Sequence, residues 1–151
     1  MANTQAMCTS FKAEILSGIH ALGTTVIRAG TGADTIKAAL YLASATVNAA
    51  TTAYSATGEV SGTGYTAGGI TATNATAPTS SGTTAYWTPS ASFTYTAVTL
   101  TTSFDCVLVY NSTQSNKAIS AHTFGAQTIT AGTFVLSMPT NDSTNALTRI
   151  A

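Results

Sequence analysis

The sequence predicts a mainly β fold, an antiparallel β-sandwich with one N-terminal α-helix, and three observations predict it. Beyond Gly32, apolar residues alternate with threonines and serines in short runs, the period of a strand with one covered face. Clusters of Gly, Pro, Asn and Ser separate the runs, so turns rather than crossover helices join the strands. Only the first stretch spaces its apolar residues three and four apart. The 151 residues are the length of one domain, with 1–33 read as N-terminal helix and linker and 34–151 as the sandwich.

The helical stripe is Met7, Phe11, Ile15, Leu16, Ile19 and Leu22, and the expected helix runs from Thr4 to Ser17, ended by Gly18 and Gly23. It is read either as a lid over one end of the β domain or as an arm docking on a neighbouring subunit. Gly30-Thr31-Gly32 is expected to be a loop. From Asp34 to Leu42, Ile36, Ala38, Leu40 and Leu42 alternate with Thr35, Lys37, Ala39 and Tyr41, which predicts a half-buried strand. Asp34 itself reads as a cap or turn residue. Ser44 to Thr57 is small and polar apart from Tyr54, hence a loop, and Gly68 to Thr73 admits a short strand.

Asn74 to Thr84 has nothing to bury and reads as an exposed loop. Trp87, the lone tryptophan, reads as a core anchor beside Pro89 in preference to a ligand platform. Phe93, Tyr95 and Ala97 alternate with threonines as a strand. Ser103 to Tyr110 contains the run Cys106-Val107-Leu108-Val109-Tyr110, the pattern of a central strand covered on both faces. Lys117 to Phe124 and Gln127 to Met138 are two further strands, the second with a turn or bulge at Thr130 to Thr133 and a stop at Pro139. Ala146 to Ala151 closes the chain as a strand at a sheet edge.

Only 7% of the residues are charged and the net charge is zero. An ordinary domain carries about 25% charged residues, whereas here threonine alone supplies roughly a fifth of the chain. Lys12, Arg28, Lys37, Lys117 and Arg149 are scattered, which argues against nucleic-acid binding. No apolar run approaches the roughly 20 residues of a spanning helix, so no membrane is expected. Asn3-Thr4-Gln5 begins no basic, apolar leader, and synthesis in a cytoplasm is the expectation. Cys8 and Cys106 are read as reduced core residues. A surface with so little charge is poorly protected against association, which suits a protein that ends up inside an assembly.

The densest cluster of special residues is Tyr54 to Ile70, with Gly58, Gly62, Gly64, Gly68 and Gly69 around Glu59 and Tyr65. Glycine reaches positive φ without steric cost, so this is a bent and closely approached backbone. It is no phosphate loop, because Gly62-Thr63-Gly64 is followed by Tyr65-Thr66-Ala67 with neither a Lys-Ser/Thr pair nor a helix. The five acidic residues do not pair at short spacing, as acid–base catalysis would need. His20 and His122 each stand alone, no Cys or His group has metal-ligand spacing, and no Gly-x-Ser-x-Gly elbow is present. A non-enzymatic protein without catalytic, cofactor or metal residues is therefore expected. Its structural signature is Glu59, Gly62, Gly64, Tyr65, Gly68, Gly69 and Trp87, with Glu59 hydrogen-bonded to nearby backbone N–H groups or to a neighbouring chain and the glycines shaping a tight crossing.

Asp34-Thr35-Ile36-Lys37-Ala38-Ala39-Leu40-Tyr41, then Thr52-Ala53-Tyr54, then Gly58-Glu59-Val60-Ser61-Gly62-Thr63-Gly64-Tyr65-Thr66-Ala67-Gly68-Gly69, resemble a family of small virion structural proteins of tailed bacteriophages. Trp87, the Cys106 to Tyr110 strand, His122-Thr123-Phe124-Gly125, Phe134-Val135-Leu136 and Leu147 to Ile150 follow the same layout, and the resemblance spans nearly the whole chain from Phe11. It implies a non-enzymatic role on the virion. Within that role the first expectation is a capsid decoration or cement protein that binds the major capsid protein and copies of itself, as a homo-oligomer such as a trimer. The alternatives are a neck, tail or fibre-base component, and, from another class, a carbohydrate-binding adhesive module using Tyr54, Tyr65, Tyr86 and Trp87.

Overall fold

A computed structural model of the protein describes residues 2–16, 18–23, 33–73 and 76–151. The expected loop at Gly30 to Gly32 and the expected helix end at Ser17 lie outside them. The fold is mainly β, with two antiparallel sheets and one short helix. The larger sheet has the order β1-β7-β6-β2-β3 and the smaller β4-β5-β8. Their strands are β1 (Ala6–Met7), β2 (Ile36–Leu42), β3 (Ile70–Thr71), β4 (Thr79–Ser81), β5 (Thr84–Trp87), β6 (Phe93–Asn111), β7 (Lys117–Leu136) and β8 (Thr148–Ile150). No helix among the described residues is long and apolar enough to cross a membrane.

The helix is α1 (Thr9–Leu16), shorter than expected, because Ala6 and Met7 pair with Ala121 and Ser120 as a strand. Propensity and spacing permitted helix there, but the unpaired edge of β7 offers backbone partners that a helix would forgo. Cys8 and Phe11 are fully buried in the core of their own chain, so the segment packs on its own β-sheet. Gly18 ends the helix, its N–H donating to Ile15 O, while Ile19 N–H reaches Glu14 O, the paired bonds of a helix C-terminus.

Where four strands were expected, two long ones occur. β6 unites the Phe93 and Ser103 segments and β7 unites the Lys117 and Gln127 segments, paired from Asn111 opposite Lys117 to Phe93 opposite Leu136. The polar residues between the expected strands are bulges inside this ribbon. Register shifts fall at Leu100/Phe104 and Phe104/Cys106, where Thr101, Thr102 and Ser103 lie exposed opposite Gly125 to Thr128. A bulge adds an unpaired residue and bends the strand without ending the ladder. Thr130 to Thr133 holds another bulge, with Ala131 at φ 48°.

β2 is buried on both faces, not on one: Ile36, Ala38, Ala39 and Leu40 have no exposed surface. It lies between β6 and β3, and its small Ala38 and Ala39 admit neighbours that the alternating pattern does not reveal. The segment expected as an exposed loop, Asn74 to Thr84, contains β4, which pairs with β5 across a turn at Gly82. β4 has no buried residue to announce it. β3 covers only two residues of the expected Gly68 to Thr73 strand. The C-terminal strand, β8, does form at an edge, beside β5.

Candidate functional site

An isolated bridge to Tyr41 sets Glu59 on the outer edge of β2, and Val60 N–H donates to Leu40 O beside it. Its Oε1 accepts the Tyr65 hydroxyl at 2.8 Å and the Gly68 N–H at 2.7 Å, and its Oε2 accepts the Tyr54 hydroxyl at 2.6 Å. The Tyr65 hydroxyl in turn accepts Leu40 N–H at 3.0 Å, filling the place in the β2 ladder between the Glu59 bridge and β3. Three other tyrosines hold this stretch and the β2 backbone beside it. Tyr110 donates to Gly68 O, Tyr95 to Ala38 O and Tyr41 to Ser55 O. The Tyr54 ring stacks on Tyr110 at 4.8 Å and the Tyr65 ring on Tyr95 at 6.0 Å.

Burial, and then the hydrogen bond to Glu59, raise the Tyr54 and Tyr65 hydroxyls above the ordinary phenol range. Burial first also pushes Tyr41 and Tyr110 up to about 12. Both carboxylate oxygens are occupied by donors from this chain. The arrangement is a clamp on the backbone rather than an acid or base facing solvent.

Gly62 and Gly64 run against the carbonyls of Thr99 and Ala97 on β6, and Gly69 runs against that of Ala38 on β2. At Gly64 and Gly69 the backbone also takes φ of 78° and 70°, so these positions combine a close approach with the left-handed region. Thr63 bridges Thr99, whose N–H donates to Thr63 O. The stretch thus leaves the edge of β2 and crosses to the same-side edge of β6, covering both. Trp87 is not part of it. It lies on β5, 1% exposed, with Nε1 donating to Thr76 O at 2.9 Å. With Trp87 buried and Tyr54 and Tyr65 half-buried on Glu59, these residues do not make the exposed aromatic face that a glycan module needs.

Two groupings escaped the sequence reading because their members are distant in the chain. His20 does not stand alone: it pairs with Glu14 Oε2 at 2.7 Å, and Lys117 donates to Glu14 Oε1. Asn111 Nδ2 lies 3.1 Å from His20 Nδ1 and donates to Asp34 at 2.8 Å, while Asn111 Oδ1 accepts Gln114 N–H. An amide nitrogen only donates, so His20 Nδ1 is the acceptor and Nε2 carries the proton toward Glu14. Burial lowers the His20 pKa against the opposing pull of Glu14. Burial raises that of Glu14, but hydrogen bonds from Lys117 and His20 bring it below the usual range. Asp34 is more than a turn residue, since it is 4% exposed and also accepts Ala21 N–H and the Gln114 amide. The network ties the segment after α1 to the β6–β7 turn.

His122 also has a partner, Ser120, with 2.8 Å between Nε2 and Oγ. Both line a cleft of about 680 Å³ beside Arg149. Ser120 is only 2% exposed, and no carboxylate is hydrogen-bonded to the ring among the described residues, so the pair lacks the accessible, oriented geometry of a nucleophile and base. Cys8 and Cys106 are free and buried, and burial pushes their thiols up to about 11 and about 12. Among the described residues no group of three or more His, Cys, Asp or Glu side chains could hold a metal ion. The chain matches no family model, no curated protein and no solved structure.

Proposed function

We propose that this chain is a non-enzymatic structural protein of a bacteriophage virion, a decoration or cement protein that binds the major capsid lattice. The observation that carries this reading is its outward surface along the β6–β7 ribbon. Thr94, Thr96, Thr101, Thr102, Thr128, Thr130 and Thr133 are all exposed there, and no charged residue occurs from Val60 to Phe104 or from Ala118 to Asn141. A broad uncharged β surface suits close packing against other subunits, where each contact is modest and many copies act together. The clamp at Glu59 supports the same reading, since its polar groups rigidify the chain and leave none of the clamp's oxygens free for a substrate. The sequence resemblance to small virion proteins supplies the particle.

Quantitative mass spectrometry of purified particles tests it. Hundreds of copies per particle are expected. About 6 to 12 copies, the number set by a closed ring, would assign the protein to the neck or tail, and none would remove it from the virion altogether.

A further inference from the structure

The cleft that holds the Ser120–His122 pair encloses about 680 Å³, between the larger sheet and the chain that follows β7. Phe93 and Val107 from β6, both buried, and Leu136 from β7 give it apolar surface, to which Met138 and Leu147 add theirs from the returning C-terminal segment. Polar side chains share the lining, among them Ser120, His122, Asn145 and Arg149. A concavity of about 300–1,000 Å³ that joins apolar surface to a few placed polar groups is the usual form of a small-molecule site.

The charges of the cleft are one-sided. No Asp or Glu side chain lines it, and Arg149 is its one permanently charged side chain. That guanidinium is exposed, its hydrogen bond to Ser143 O is long at 3.4 Å, and it makes no ion pair among the described residues. Asp142, the carboxylate nearest in sequence, is committed elsewhere: Thr144 N–H, Asn145 N–H and the Asn145 amide all donate to it. Burial keeps the His122 ring neutral, so it brings no second charge. Its Nε2 is taken by Ser120, while Nδ1 has no hydrogen-bond partner among the described residues.

We infer that this cleft binds a small monocarboxylate with an apolar body, its anionic end on Arg149 and its body against Phe93, Val107, Leu136 and Met138. The two parts of the ligand follow from the two parts of the lining. A guanidinium matches a carboxylate through parallel N–H···O bonds, the strong charge-assisted kind, and an apolar chain covers surface that otherwise meets water. A cation would face Arg149 with no side-chain carboxylate in the cleft to receive it. A dianion would bring more charge than one guanidinium answers, and a wholly apolar molecule would desolvate that guanidinium without a partner. The inference goes beyond the structural role proposed above and does not depend on it.

Octanoate is the probe, with octanamide as its uncharged counterpart. In titrations of the isolated protein at neutral pH, followed by amide NMR shifts, octanoate should saturate with a Kd of about 0.1–1 mM and octanamide should bind about tenfold more weakly. The shifted signals should be those of the cleft, Ser120, His122, Leu136 and Arg149. Arg149→Gln should remove the preference for the acid, and Arg149→Lys should keep part of it. Parent-like thermal melts confirm that the variants fold, and the comparison of the two probes on the parent needs no variant. Equal affinity for the two probes, a preference unchanged in Arg149→Gln, or shifts centred away from the cleft would overturn the inference. So would a failure to saturate by about 10 mM octanoate. A copy count of zero on virions would overturn the structural role without touching this site.

Discussion

The Tyr65 hydroxyl stands between two strands' worth of backbone, accepting Leu40 N–H at 3.0 Å and donating to the Glu59 carboxylate at 2.8 Å. One side chain thereby replaces a missing rung of the β2 ladder, and Glu59 holds that side chain in place. The glycine-rich stretch can then loop away from β2 after Val60 and return at Ile70 without leaving Leu40 N–H unsatisfied.

Removing the carboxylate should therefore cost more than one hydrogen bond. Glu59→Ala leaves the Tyr54 and Tyr65 hydroxyls and Gly68 N–H without their acceptor. Chemical denaturation should show a loss of about 2–4 kcal/mol, and Tyr65→Phe a smaller loss of about 1–3 kcal/mol. A Glu59→Ala protein with the parent's unfolding midpoint would show that the clamp contributes nothing.

Two glycines with similar φ separate backbone strain from close approach. Gly69 and Gly82 have φ of 70° and 59°, but a Cβ on Gly69 would strike the Ala38 carbonyl whereas one on Gly82 meets nothing within 4 Å. Gly82→Ala should cost only the left-handed strain, about 1–2 kcal/mol, and Gly69→Ala at least about 3 kcal/mol or a failure to fold. Equal melting temperatures for the two variants would contradict the packed crossing.

Burial lowers the His122 pKa from 6.5 to about 4, so the fold holds the neutral ring. The unfolded chain takes up its proton first as the pH falls. From His122 alone the stability is intact above about pH 6.5 and declines by about 3 kcal/mol toward about pH 4, and His20, whose pKa burial also lowers, adds a loss in the same direction. His122→Gln should flatten this part of the stability profile. Glu14, whose pKa is lowered from the ordinary 4.5, adds its own loss as the pH falls below that value. A parent protein whose denaturation midpoint is constant from pH 7 to about 4 would refute the assignment to His122.

The sequence by itself determined the fold class, the central position of the Cys106 to Tyr110 strand, the burial of Trp87 and both cysteines, and the close-packed character of Tyr54 to Ile70. Each of these is a local property: alternation, a continuous apolar run, or a density of glycine shows in neighbouring residues. Of the Glu59 partners it led one to expect, backbone N–H groups or another chain, Gly68 N–H is present, whereas the Tyr54 and Tyr65 hydroxyls were not foreseen.

Only the tertiary structure decided the rest. The residues just before Ser103 and those between Phe124 and Gln127 read as breaks, yet they are bulges, because each strand supplies the other's backbone partners on both sides of the irregularity. Ala6 and Met7 became a strand because β7 has a free edge, which no helical spacing records. The tyrosines around Glu59 and the network of Glu14, His20, Asp34, Asn111 and Lys117 join residues as much as 103 positions apart. Hydrogen bonds of that kind leave no period in the chain, since their geometry exists only once the strands that carry them have paired.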